Sequence, residues 1–285
     1  MKNDLRQSED SKYIPMTSFK SGKGHQVRND IFYYTDQIVN VVFIGNPTEG
    51  PWILVDAGMP KSGNELIRVA EDRFGKGKKP LFILLTHGHF DHVGSIVDLI
   101  NYWNVPVYAH IDEFPYLTGQ RPYLEPDPTV EGGLLAKISS IYPYEPINIA
   151  KVLKALPADG SIPELEDWKW ISTPGHSPGH VSFFRESDGT LIVGDAFVAV
   201  RQDSFYKVLI QKKELNGPPR YFTTDWQAAW NSVKLLESLN PTLAITGHGP
   251  SFEGSQLKEG LKALAMEFDQ VAIPAYGKYL KTDNS

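Results

Sequence analysis

Short apolar runs closed by turn residues set the pattern of the first half of this chain. Residues 31–34 and 38–44 read as two strands, with Thr35-Asp36-Gln37 as the turn between them. Asn46-Pro47-Thr48-Glu49-Gly50 is a clearer turn. It precedes a third strand at 52–55, which runs into Asp56-Ala57-Gly58. Ser62-Gly63-Asn64-Glu65 has capping-box form and predicts a helix continuing through 66–74. A buried strand is expected at 81–85. Next comes a helix over 93–103 with Val93, Ile96, Val97 and Ile100 on one face, and then a strand start at 105–108.

Residues 111–167 are the least regular part, rich in proline and aromatic residues, with a short helix expected near 134–141. A segment of that length is either a lid or binding loop, or a decoration with no catalytic part. Short strands resume at 170–172, 181–184 and 191–193. A helix is expected at 225–239, with Trp226, Trp230 and Val233 at helical spacing. A strand at 243–245 and an amphipathic helix at 255–271 close the pattern. Strands and helices occur in both halves with no linker or repeat, which predicts α/β layering in a single domain, 27–285, behind a polar N-terminal arm, 1–26.

Composition narrows the function classes. The apolar share of 41% and charged share of 22% are ordinary for a globular protein. A net charge of −6 gives no general attraction to nucleic acid or anionic membrane, so neither is expected as a partner. The absence of cysteine excludes disulfides, thiolate metal sites and a cysteine nucleophile. The polar N-terminus lacks a signal-peptide core, and no apolar run approaches bilayer length, so a cytoplasmic location is expected.

The chemistry concentrates at strand ends. The strand at 81–85 leads into Thr86-His87-Gly88-His89-Phe90-Asp91-His92, an H-x-H-x-D-H motif. Desolvated imidazoles and carboxylates need partners, and a metal ion supplies them. On an extended segment His87 and His89 point to one face and can share a cation. Asp91 and His92 diverge and point to a second centre beside it. Gly88 lets the backbone turn tightly between two ligands. The design recurs at His176 and His180 in Thr173-Pro174-Gly175-His176-Ser177-Pro178-Gly179-His180, at Asp195 in Gly194-Asp195-Ala196, and at His248 in Thr246-Gly247-His248-Gly249-Pro250.

Together these motifs, with Asp56 in Val55-Asp56-Ala57-Gly58, resemble the ordered signature of the metallo-β-lactamase superfamily over about residues 31–271. The resemblance implies a four-layer αβ/βα sandwich, two mixed β-sheets flanked by helices, with metals at one edge between strand-end loops. It implies that His87, His89 and His176 hold a first metal, that Asp91, His92 and His248 hold a second, and that Asp195 bridges both. Asp56 would accept hydrogen bonds that fix the ligand loop, or would simply cap its turn. His180 is either a hydrogen-bonding core or pocket residue or a substrate contact. His25 and His110 have no motif context and read as surface or packing residues.

The implied activity is hydrolysis by a hydroxide shared between two divalent metals, zinc by default with iron or manganese equally suited to a carboxylate bridge. Asp91 would be the catalytic residue, orienting the hydroxide and passing a proton to the leaving group. Asp195 argues against the class B β-lactamases, which lack this carboxylate. The complete H-x-H-x-D-H argues against the flavodiiron branch. The lack of a long inserted domain, together with net acidity, argues against the nucleic-acid-processing branch.

Glyoxalase II-type thioesterases and N-acyl homoserine lactonases remain. Val198 stands where the lactonases carry a tyrosine, and the basic glutathione-binding cluster of glyoxalase II is not recognisable. Tyr221 and Phe222 either wall a substrate pocket or pack with Trp226 and Trp230. The expected substrate is a small acyl ester, thioester or lactone. A phosphodiesterase and a non-catalytic metal-binding regulator are the alternatives, and the sequence carries no signal of oligomeric state.

Overall fold

Neighbouring strands pair in chain order through most of the protein. The computed structural model describes residues 5–12, 18, 20–200 and 215–280. Its contacts group into two compact units, one formed by residues up to 123 together with 143–156, the other by 124–142 and the chain from 157 onward.

The first unit is built on a seven-stranded mixed sheet. Strands β1 (Lys23–Arg28), β2 (Ile31–Asp36), β3 (Val39–Ile44) and β4 (Ile53–Val55) pair antiparallel in sequence. Strands β5 (Ile83–Leu84), β6 (Val107–Ala109) and β7 (Leu153–Ala155) then add in parallel. β1 begins inside the stretch read as an arm, where the His25 ring stacks on Tyr33 at 4.9 Å. Residues 1–4, 13–17 and 19 of that arm lie outside the described residues.

Thr35 and Asp36 do not form the predicted turn. They stay in β2, paired with Asn40 and Val39. Their polar groups are used where they lie, Thr35 Oγ1 donating to Asn40 Oδ1 at 2.9 Å and Asp36 accepting from Met59 N and Ser62 Oγ, each at 2.8 Å. Ser62 therefore does not close a capping box on helix α1 (Gly63–Phe74), because its hydroxyl already serves Asp36. Leu66, Val69, Ala70 and Phe74 form the buried stripe of α1. Helix α2 (Ile96–Trp103) starts three residues later than its apolar pattern predicts, since Gly94 N donates to Gly58 O at 2.9 Å and Ser95 N to Ala57 O at 3.2 Å. Trp52 stacks on Phe74 at 4.5 Å and meets the edge of Trp103 at 5.5 Å, an aromatic centre for this core.

The second unit carries a five-stranded mixed sheet in the order β12-β11-β10-β9-β8, with β8 (Trp168–Ser172), β9 (Val181–Arg185), β10 (Thr190–Gly194), β11 (Leu243–Thr246) and β12 (Phe252–Glu253). Helix α3 (Trp226–Ser238) is capped by Asp225, whose Oδ1 accepts from Ala228 N at 2.9 Å. Helix α4 (Gly254–Met266) buries Leu257, Leu261, Leu264 and Ala265. The predicted continuous helix to 271 instead breaks at Glu267, and a separate turn, Phe268–Val271, buries Phe268 beneath Trp226 and Trp230.

The β9–β10 hairpin is locked electrostatically. Arg185 donates to Asp188 from Nε at 3.0 Å and Nη2 at 2.7 Å, and Thr190 N adds a third bond at 3.0 Å. Burial pushes the Asp188 carboxyl up, but the bonds from Arg185 and Thr190 outweigh it and hold the group down at about 2. The contribution is full above the unfolded value of about 3.9 and is lost as pH falls through about 2. Discounted for the 31% exposure of the side chain, it is worth about 1–2 kcal/mol. Urea unfolding of Asp188→Asn should show that deficit at pH 7 and a flatter stability profile between about pH 4 and pH 2. An unchanged acid slope would refute the assignment.

Candidate metal centre

Parallel strands run the same way, so the residues that follow them emerge at one edge of the sheet. In the first unit β4 and β5 are such neighbours, with Val55 opposite Leu84. Asp56 leaves β4 and Thr86-His87 leaves β5 side by side. Asp56 sits at φ +64°, a left-handed conformation uncommon outside glycine. That backbone aims its carboxylate at the histidine loop. Oδ1 accepts from Thr86 N, while Oδ2 accepts from Thr86 Oγ1 and from His92 Nδ1, all at 2.8 Å. Ala57 N adds a bond to His92 O at 2.7 Å.

These bonds set two imidazole tautomers. His92 donates from Nδ1 to Asp56, which leaves the lone pair on Nε2. The Thr86 hydroxyl spends its only proton on Asp56, so at 3.1 Å it accepts from His87 Nδ1. His87 therefore also keeps its lone pair on Nε2. His87, His89, Asp91 and His92 are all buried. The His87 ring lies 4.7 Å from His89 and 4.1 Å from His92. Ligand atoms of His87 and His89, of His87 and His92, and of Asp91 and His92 stand within 4.8 Å of each other. Three imidazoles so close cannot all be protonated without strong repulsion, whereas neutral imidazole lone pairs and a carboxylate are the donor set of a divalent cation.

The second unit repeats the edge. β10 and β11 are parallel, and β8 runs in the same direction because β9 is antiparallel to both β8 and β10. His176, Asp195 and His248 accordingly follow three strands ending at one edge. Gly175, at φ +132°, lets helix α3 approach so closely that a Cβ there would collide with the Ala229 backbone. Thr223 accepts from His176 Nδ1 at 3.2 Å, its own proton going to Pro219 O at 2.8 Å. The His176 lone pair is thus also on Nε2, and this nitrogen lies 3.6 Å from Asp195 Oδ2. His248 Nε2 lies 3.2 Å from the same oxygen. Two ligands of one tetrahedral cation, bound at 2.0–2.2 Å, stand about 3.3 Å apart, so both separations suit a shared metal.

His180 is a core hydrogen-bonding residue in this structure. Its Nε2 accepts from Asp195 N at 2.9 Å and its Nδ1 donates to Thr173 Oγ1 at 2.8 Å. Thr173 in turn donates to Ser182 Oγ, whose proton goes to Val193 O. His180 therefore holds the Asp195 backbone. Tyr221 and Phe222 are buried and pack with Tyr142, and the His176 ring meets Phe222 edge-on at 6.4 Å. His25 lies in β1, and His110 accepts from Asp112 N at 3.3 Å in the turn that follows β6. The threonines that orient the ligands were not singled out from the sequence. Thr86 had a local signal, since it directly precedes the motif, while Thr223 had none.

Comparison with known proteins bears on the family and the fold. The family model of the metallo-beta-lactamase superfamily matches residues 34–248. "Probable metallo-hydrolase YflN" of Bacillus subtilis is 44% identical over 260 residues, 91% of this chain and 98% of the relative. "Hydroxyacylglutathione hydrolase GloC" of Haemophilus influenzae is 27% identical over 171 residues, 59% of this chain and 68% of the relative. Among solved structures, BJP-1, a subclass B3 metallo-beta-lactamase of Bradyrhizobium japonicum, aligns with a TM-score of 0.60 at 19% identity, over 90% of this chain and 94% of that one, a likeness of fold.

Proposed function

Because the chain belongs to the metallo-β-lactamase superfamily of metal-dependent hydrolases, we propose that it hydrolyses a small acyl ester, thioester or lactone at a centre of two divalent cations. The observation that carries this reading is Asp195 Oδ2 standing 3.2 Å from His248 Nε2 and 3.6 Å from His176 Nε2, a carboxylate placed to be shared. His87, His89 and His176 are assigned to one cation, Asp91, His92 and His248 to the other, and Asp195 to both. Zinc is the expected metal, with iron or manganese also suited to these ligands. Two such cations supply an acidified water and a Lewis acid for the substrate oxygen.

The protein's own part is to hold and to move protons. Asp56 keeps His92 in its Nδ1–H form directly and His87 through Thr86. Asp91, buried in the ligand loop, is assigned the proton of the attacking water and its delivery to the leaving group. The acyl assignment draws on the similarity to the hydroxyacylglutathione hydrolase of Haemophilus influenzae and on the exclusions argued from Asp195 and the complete motif. The partner is a small molecule, and a cytoplasmic setting is part of the proposal.

Elemental analysis of protein purified without added metal should find two divalent ions per chain. Esters, thioesters and lactones should be turned over and bis-p-nitrophenyl phosphate should not. Chelation should abolish the activity and metal restore it. Asp91→Asn should lose about 10²–10⁴-fold in kcat with its metal retained. Preferred cleavage of the phosphodiester would replace the acyl reading, and hydrolysis of nothing in the panel by metal-loaded protein would replace catalysis with metal binding alone. Intact turnover in Asp91→Asn would remove its proton role.

A further inference from the structure

The sequence assigns Gly88 to a tight turn, yet its backbone is not in the left-handed region. Its lack of a side chain answers to crowding instead. A Cβ at Gly88 would lie 2.6 Å from Tyr123 Oη, 3.0 Å from Leu117 Cδ2 and 3.3 Å from Glu113 Oε2. The peptide between two assigned ligands is thus pressed against a carboxylate and a phenol. Gly88 N donates to Glu113 Oε2 at 2.9 Å and to Tyr123 Oη at 3.0 Å, and Tyr123 donates to the same Glu113 oxygen.

Glu113 is fully buried. It ends the turn Ile111–Glu113 that follows β6, the parallel neighbour of β5, so it emerges at the same edge as the histidine loop. Burying a carboxylate is costly, and this one is directed at the amide between His87 and His89. Tyr123 also lies against a ligand, its ring 4.5 Å from that of His89 and tilted by 55°. The tyrosine is braced in turn. It stacks on Tyr116 at 3.9 Å and 12°, and the Arg121 guanidinium lies 5.2 Å from the Tyr116 ring.

We propose that Glu113 and Tyr123 are a positioning pair that holds the His87–His89 loop in register for metal binding. The pair fixes the loop in two ways. It pins the Gly88 peptide, which sets the separation of the two imidazoles, and it supports one face of His89, which limits the rotation of that ring. This inference rests on the metal reading of the site.

The test uses the full chain with Glu113→Gln and Tyr123→Phe, each close in volume to the native residue. Zinc affinity is measured by chelator competition, ligand geometry by the visible spectrum of the cobalt(II) form, and folding by the melting temperature of the metal-free protein. Each variant should lose roughly 10–100-fold in zinc affinity and shift the cobalt(II) bands, with metal-free melting within a few degrees of wild type. The double variant should fall no further than the weaker single, since the two residues act on one peptide. Wild-type affinity and spectrum in both variants would overturn the pair's role, as would an affinity loss matched by a collapse in metal-free melting. A wild-type protein that takes up no metal would overturn the metal reading itself, an outcome the wild-type control separates from the other two.

Discussion

Asp195→Ala is expected to drop metal content from two ions per chain to one or fewer and to lower kcat/KM by on the order of 10³-fold or more. On the proposed reading, the size would follow from losing the carboxylate assigned to both cations, and with it several kcal/mol of transition-state stabilisation. The fold should survive. His180 holds this position through the Asp195 backbone N–H, which alanine keeps, so the Thr173–Ser182–Val193 chain stays complete. Metal-free melting should therefore stay within a few degrees, and removing a buried carboxylate between two imidazoles can even raise it. Elemental analysis and calorimetry separate the two effects. Full metal occupancy with normal turnover would exclude Asp195 from the site.

Asp56→Asn should produce the second large effect without touching an assigned ligand. Asparagine tolerates φ +64°, so the backbone should hold. Its Oδ1 can still accept from Thr86 N, but the amide then replaces Oδ2, where Thr86 Oγ1 and His92 Nδ1 both donate. Thr86 can rotate its hydroxyl. His92 must give up the bond or move its proton to Nε2, which blocks the nitrogen assigned to the metal. Zinc affinity should fall roughly 10–100-fold, and the broken buried bonds should cost about 1–3 kcal/mol of stability. Nitrogen-15 spectra of the imidazoles should show His92 changing tautomer. An unchanged tautomer at unchanged affinity would refute the relay.

Much of the architecture was legible because its signals are local. Apolar runs located the strands from β2 to β5 and from β8 to β11, and helical spacing located α1, α2 and α3. Errors fell where a side chain is recruited by a distant segment. Ser62 looked like a helix cap and serves Asp36, while Asp36 looked like part of a turn and accepts from Met59 and Ser62. The helix expected through 271 breaks after Met266, and Phe268 in the turn that follows packs against Trp226 and Trp230, far back in the chain.

The same division holds for the site. The donors themselves follow from sequence alone, since an H-x-H-x-D-H stretch and single His or Asp residues directly after apolar strands are local patterns. What orients them does not. Asp56 reaches Thr86 and His92, Thr223 reaches His176, His180 reaches Asp195, and Glu113 with Tyr123 reaches Gly88, each across a separation that no periodicity spans. The sequence by itself therefore determined the strands, the main helices and the ligand-type residues. Only the tertiary structure decided which nitrogen of His87, His92 and His176 keeps its lone pair, that His180 supports a backbone, and that Gly88 is needed for space. Residue type sets what a side chain can donate or accept, whereas parallel strands of distant sequence decide which partners arrive at the same edge.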